Sequence, residues 1–281
     1  MSQRHSRSSI AIWLVITIFF VAFLTWHEVI HLPDGKTHVS FLAVGQGDST
    51  LIVSPSGKRI VIDGGPDLTT LEHLGSHLGF FNRHIDILIL THPHLDHIAS
   101  FPQILKRYSV GQILMSGADY TQPRYAQMLA EMKAQNIALL LSQPGKTIDI
   151  GDGLVFDMLW PPSGAFGTYY SNPHDEGVVV RARFGNQSAL FTGDLEEKYE
   201  EKILESKLDI RADILKVGHH GSLTSTSTGF LIAVHPDLAI ISVGKNNLFR
   251  HPRQAILDRL NYFNIPYKRT DLDGTIEVVW K

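Results

Sequence analysis

Six consecutive residues, His92-Pro93-His94-Leu95-Asp96-His97, carry three imidazoles and one carboxylate just beyond the largely apolar strand Ile85–Leu90, which stops at Thr91. Imidazole nitrogen and carboxylate oxygen both bind zinc at about 2 Å. In extended backbone His92 and His94 point the same way, and Asp96 with His97 turn toward an adjacent position as a helix begins. Capping a helix on a polar loop rarely requires so dense a cluster. The sequence contains no cysteine. Disulfides and thiolate sites are therefore excluded, and one or two zinc ions would be held by nitrogen and oxygen alone.

Two further chemical positions also follow strands. Asp194 comes after Ser188–Phe191 and Gly193, and His219 with His220 follow Ile214–Val217. Asp194 also fits a helix N-cap before Leu195-Glu196-Glu197. Gly221 would let a phosphate approach the backbone, and Ser222 could donate to it. Lys245 and Asn246 are further candidate substrate contacts, although Lys245 and Arg250 read equally well as solvated charges. His251 either lines the same pocket or is a loop residue. His73, His77 and His84 read as surface positions.

Alternating strand and helix patterns position these residues. Strands are expected at Val39–Val44, Thr50–Val53, Arg59–Asp63, Ile85–Leu90, Gln112–Met115, Ile137–Leu141, Leu154–Leu159, Val178–Phe184, Ser188–Phe191, Ile214–Val217, Ala239–Val243 and Thr275–Val279. Helices are expected at Leu68–Phe80, Ile98–Tyr108, Arg124–Asn136, Glu196–Leu204, Thr226–Val234 and Gln254–Phe263. Hairpin-rich stretches mixed with strand–helix units predict an α/β fold, two mixed sheets with helices outside, in four αββα layers. Loops at the carboxyl ends of strands are where such folds place their chemistry.

The run His92-Pro93-His94-Leu95-Asp96-His97 resembles the H-x-H-x-D-H signature of the metallo-β-lactamase superfamily. Four more segments resemble the hydrolase domain of ComEC-like competence DNA-uptake proteins. They are Val44-Gly45-Gln46-Gly47-Asp48-Ser49, Thr192-Gly193-Asp194, Leu215-Lys216-Val217-Gly218-His219-His220-Gly221-Ser222, and Ser242-Val243-Gly244-Lys245-Asn246-Asn247 with His251-Pro252. The resemblance spans residues 38 to 281. It implies a metallo-β-lactamase sandwich with metal ligands His92, His94, Asp96, His97, Asp194 and His219, with Asp194 bridging two zinc ions or, alternatively, manganese. Strand alternation lets only one of the adjacent pair face the metals; His219 is taken as that ligand and His220 stands beside it as an orienting group or proton donor, the choice between the two staying open. Asp96 would orient the attacking water, and His251 would join the catalytic group. Two departures stand out. The stretch that should supply another ligand reads His174-Asp175-Glu176, with the register open among the three, and Ala43 stands where the family has Asp.

The implied activity is hydrolysis of a phosphodiester, DNA first, by a metal-activated water. The alternatives are hydrolysis of a cell-envelope phosphodiester or ester, and a weakly active binding module of a membrane complex. A net charge of −3 argues against a free-standing nucleic-acid binder, but two zinc ions would place about four positive charges where a phosphate docks. Hydrophobic residues at 43% and charged residues at 19% exclude disorder.

Ile10–Trp26 is an uncharged apolar run, as a helix roughly 25 Å long. Arg4 and Arg7 precede it, so the positive-inside bias leaves residues 1–9 as a cytoplasmic tail. Residues 10–27 form the transmembrane anchor, 28–37 a linker, and 38–281 the hydrolase domain outside the cytoplasmic membrane. Thr25-Trp26-His27-Glu28 makes a poor signal-peptidase site. With one apolar span here, DNA uptake would call for a separate membrane translocator.

Overall fold

A computed structural model describes residues 2–79, 81–161 and 165–281, with side chains from residue 10 onward. The side chains of Arg4 and Arg7, on which the orientation of the tail rests, and Phe80 lie outside the described residues.

The chain begins with helix α1 (Ser2–Ile30) and continues through β1 (Thr37–Phe41), β2 (Thr50–Val53), β3 (Arg59–Ile62), α2 (Thr69–His77), β4 (His84–Ile89), α3 (Leu95–Ile98), α4 (Phe101–Arg107), β5 (Ser109–Met115), α5 (Pro123–Gln135) and β6 (Ala138–Leu141). The second half comprises β7 (Thr147–Gly151), β8 (Leu154–Trp160), β9 (Val179–Phe184), β10 (Gln187–Phe191), α6 (Glu197–Glu205), β11 (Ile214–Lys216), α7 (Thr228–Val234), β12 (Leu238–Ile241), α8 (Gln254–Tyr262), β13 (Tyr267–Arg269), α9 (Thr270–Asp273) and β14 (Ile276–Trp280). Two seven-stranded mixed sheets result, in the orders β14-β1-β2-β3-β4-β5-β6 and β13-β12-β11-β10-β9-β8-β7.

Side-chain alternation divides the apolar residues into three cores. Ile60, Ile62, Ile87 and Ile89 of the first sheet meet Phe156, Val180, Ala189 and Ile214 of the second between the sheets. Val61 and Leu88, with the opposite parity, pack outward on Leu74, Ile104 and Met128 of α2, α4 and α5. Leu190, Leu215 and Ile241 pack outward on Ile203, Phe230 and Ile256 of α6, α7 and α8. Strands buried on both faces read as continuous apolar runs, as Ile87–Leu90 does after Asp86. The expected αββα layering is therefore present.

The site loops gather at one edge because β3 runs parallel to β4 and β10 parallel to β11, which in turn runs parallel to β12. The loops join across the sandwich, where the amide of Val178 donates to the carbonyl of Thr91 at 2.7 Å. The apolar segment Ile10–Ile30 of α1 is long and apolar enough to be a candidate membrane span. It stays helical four residues past Trp26, taking in His27 and Glu28.

Several elements differ from expectation. The single helix read over Ile98–Tyr108 starts earlier and breaks into α3 and α4. There the carbonyls of Asp96 and His97 accept from the amides of Asp48 and Gly64, at 3.1 and 2.5 Å, and not from a continuing helix. Strands β7 and β13 were not expected. Both lie at sheet edges with exposed polar positions, so neither shows an apolar run.

Candidate metal centre

Just past β4, His92 and His94 project into one pocket, where His94 Nδ1 lies 3.0 Å from His92 Nε2. A third imidazole arrives from a 3-10 turn, Pro173–Glu176, whose start is held by the Asn172 side chain accepting from the His174 amide. His174 Nε2 stands 2.9 Å from His94 Nδ1. Asp194 Oδ2 closes the group, 3.9 Å from His92 Nε2 and 3.8 Å from His174 Nε2. Of the three residues between which the sequence left the register open, the structure brings His174 into this group. Asp175 pairs with Lys198 at 3.0 Å instead, and burial pushes the Glu176 carboxyl above its ordinary range despite a hydrogen bond from Tyr170.

A second group shares the same aspartate. Asp194 Oδ1 lies 3.3 Å from His97 Nε2 and 3.6 Å from His220 Nε2, and His220 Nε2 lies 3.3 Å from Asp96 Oδ2. The expectation that His219 enters this group and His220 stands beside it is reversed. Residues 218–221 form a 3-10 turn in which both histidines have left-handed backbone, φ 47° and 54°. Strand alternation stops with β11 and does not govern them. The side chain of His220 is 2% exposed, whereas that of His219 is 23% exposed at the mouth, with Nε2 3.7 Å from Asp194 Oδ2.

Both groups fit a divalent cation. Four ligands about 2 Å from zinc in tetrahedral array stand about 3.3 Å apart, near the middle of the observed spacings. Three buried atoms of the second group, His97 Nε2, His220 Nε2 and Asp194 Oδ1, have no hydrogen-bond partner. All three face one another across the space where a cation would sit. Each group of four places its ligand atoms within 4.8 Å of one another.

A surrounding layer orients these ligands. Asp63 accepts from His97 Nδ1 at 2.8 Å, from the Thr91 amide at 2.8 Å and from the Thr91 hydroxyl at 2.6 Å. His220 Nδ1 meets the Ser242 carbonyl at 2.9 Å, so its Nε2 faces inward. Asp48 lies 3.3 Å from His220 Nδ1 and pairs with the buried Lys216, whose ammonium also donates to the Gly193 carbonyl at 3.1 Å. Glu196 Oε1 lies 3.5 Å from His174 Nδ1. Carboxylate partners of this kind hold an imidazole in one tautomer. Sequence reasoning missed Asp48, Asp63, Glu196 and Lys216. Two of them carried a signal: Asp63 follows β3 just as Asp194 follows β10, and Lys216 interrupts the otherwise apolar run Ile214–Val217.

Without metal the two groups differ in charge. Burial drives His92 well below the ordinary imidazole value and His94 down to about 4, with His174 adding to the second shift. For His97 and His220 burial acts the same way but is outweighed by Asp194 together with Asp63 or Asp48. His97 is raised well above its ordinary value and His220 to about 10. Asp194 stays ionised well below the carboxylate range, because His220 and His97 outweigh its burial. Asp96 is lowered to about 2, with His97 and His220 outweighing its burial. His92 and His94 thus stand ready with free lone pairs, whereas His97 and His220 hold protons where a cation would go.

The remaining expected residues lie on the rim or outside it. The His251 ring is 5.7 Å from His219 and 6.5 Å from His220, and burial beside them lowers it to about 4. Ser222 is buried, 3.1 Å from the Thr224 hydroxyl. Lys245 and Asn246 are exposed on the loop after β12, where Lys245 lines a depression with Ala43, Gln46 and Asp271 and not the histidine pocket.

Residues 42–245 match the metallo-beta-lactamase superfamily. ComE operon protein 3 of Bacillus subtilis is 32% identical over 267 residues, covering 88% of this chain and 34% of that protein. Competence protein ComA of Neisseria gonorrhoeae is 30% identical over 253 residues, covering 88% of this chain and 33% of that protein. The chain therefore spans about a third of the length of these relatives. Among solved structures, the metallo-beta-lactamase fold protein YhfI of Bacillus subtilis superimposes with a TM-score of 0.58 at 13% identity, over 87% of this chain and 99% of that one.

Proposed function

The chain belongs to the metallo-beta-lactamase superfamily, and from that premise we propose that it is a two-zinc phosphodiesterase acting on DNA outside the cytoplasmic membrane. The observation that carries the reading is the division of Asp194, one oxygen in each of two four-residue groups. In this reading His92, His94 and His174 hold one cation, Asp96, His97 and His220 the other, and Asp194 both. Bound there, the cations would lower the pKa of water and polarise a phosphoryl oxygen.

The chain's own residues supply orientation and proton handling. Asp96 lies half-open at the mouth and would orient the attacking water. His220 is drawn into the second group, so the donor role passes to His219, whose Nε2 faces the rim beside Asp194. Manganese in place of zinc is compatible with the same nitrogen and oxygen donors. DNA as substrate is supported by the competence proteins among the relatives. The apolar helix would anchor the domain with its amino terminus inside.

The test uses the full chain in detergent, loaded with zinc, on single- and double-stranded DNA and on an envelope polymer linked by phosphodiesters. Cleavage of DNA that His94→Ala abolishes supports the reading. Cleavage of the envelope polymer alone transfers the site to that substrate, and cleavage of none of them overturns hydrolysis.

A further inference from the structure

Leu248 is 95% and Phe249 62% exposed on the loop that follows β12. This loop is held firmly. Asn247 Nδ2 donates to the carbonyls of Gly244 and His251 at 3.0 and 2.7 Å, and the His251 amide returns to Asn247 Oδ1 at 2.8 Å. The guanidinium of Arg253 reaches the Phe249 carbonyl at 3.4 Å, and its amide donates to Gly221 of the histidine turn at 2.9 Å. Large apolar side chains raised into solvent on a braced loop beside a catalytic cleft call for a ligand. The Phe249 ring stacks on His251 at 5.8 Å and 25°, and His251 in turn lies 5.7 Å from His219. A continuous row of rings therefore leads from the tip to the rim of the metal groups. The exposed Arg250 follows Phe249 directly, and Lys245 stands on the same loop.

We infer that Phe249, with Leu248 and Arg250, forms a platform on which an unpaired nucleobase stacks while the adjoining phosphodiester lies over the metal groups. The inference rests on the phosphodiesterase reading and names its substrate as a single strand or a frayed end. An exposed aromatic face beside basic side chains is how sequence-tolerant single-strand binding is built. A lipid headgroup of the anchoring membrane does not fit this position. Strand β1, whose start at Thr37 is separated from the end of α1 by six residues, begins at the end of the sheet where β4 also begins, and the site lies beyond the opposite ends of β3 and β4. The length of β4 holds the platform about 20 Å further from that end.

The test is binding of a fluorescent oligothymidylate and of an abasic strand of equal length to the full chain in detergent, by anisotropy, with cleavage measured beside it. Phe249→Ala should weaken oligothymidylate binding about tenfold, with abasic binding changed less than twofold, and Phe249→Trp should restore the preference. A tenfold loss is about 1.4 kcal/mol, within the range for one stacked base. Equal losses for both strands, no loss for either, or Phe249-dependent attachment to phosphatidylglycerol vesicles in place of DNA would overturn the platform. Wild-type protein that binds the base-bearing strand through Phe249 yet cleaves no phosphodiester keeps the platform and retires the hydrolytic reading. Cleavage with binding indifferent to Phe249 does the reverse.

Discussion

Replacing Asp63 by Asn separates the second metal group from the first without disturbing the fold. Asp63 sits at φ 59°, a backbone region Asn adopts readily, so the chain path is kept. In the wild type the carboxylate accepts all three bonds it makes. In the variant the amide oxygen must stay on the Thr91 N–H, because turning it would set two donors against each other. The amide NH2 then replaces the oxygen facing His97 Nδ1. His97 responds by presenting Nδ1 as acceptor and carrying its proton on Nε2, the atom 3.3 Å from Asp194. That nitrogen can then no longer bind a cation. Loss of such an orienting partner costs 10–100-fold in metal affinity, about 1.4–2.7 kcal/mol. Competition with a chelator of known zinc affinity should show one zinc equivalent weakened by that factor and the other, at His92, His94 and His174, unchanged. Two equivalents of wild-type affinity, or equal weakening of both, would refute the reasoning.

Further predictions follow from the same geometry. His220→Ala should lose one of two zinc equivalents by elemental analysis, whereas His219→Ala should keep both and lower kcat; the opposite pattern would restore the strand-alternation choice. His97 and His220 have folded pKa values raised above their unfolded values, so they stabilise the metal-free fold below the ordinary imidazole value of 6.5, and this stability fades as pH rises through about 10 for His220. Thermal stability of the chelated protein should therefore fall between pH 7 and 10. Zinc binding should also release protons at neutral pH, read by calorimetry in buffers of different ionisation enthalpy. Trp280, 1% exposed on β14, closes the core between the sheets. Trp280→Ala should cost about 3–5 kcal/mol in denaturant unfolding, and a loss below 1 kcal/mol would show that β14 is dispensable.

The layered sandwich was legible because its buried strands are unbroken apolar runs and its helices carry one apolar face. The first cluster was legible because four donors fall in six residues after such a strand, and Asp194 because it repeats that strand-end position. His174 left its register open because it rides a 3-10 turn in a stretch without periodicity. The His219–His220 assignment went astray where left-handed backbone replaced the pleat that alternation assumes. The acid after β3 and the lysine inside Ile214–Val217 carried a local signal, but their partners lie in distant segments, Lys216 reaching Asp48 across 168 positions, and spacing does not show which residues such groups meet. Gly47 and Gly64, the neighbours of Asp48 and Asp63, lie where the Asp96 carbonyl and the Phe101 ring leave no room for a Cβ, which explains glycine there but was not visible from spacing.

The central claim is that Asp194 joins two cations. Anomalous diffraction at the zinc edge from crystals of the loaded protein tests it most directly. Two peaks about 4 Å apart, one on each carboxylate oxygen of Asp194, are predicted. A single peak, or two that leave Asp194 untouched, would contradict it.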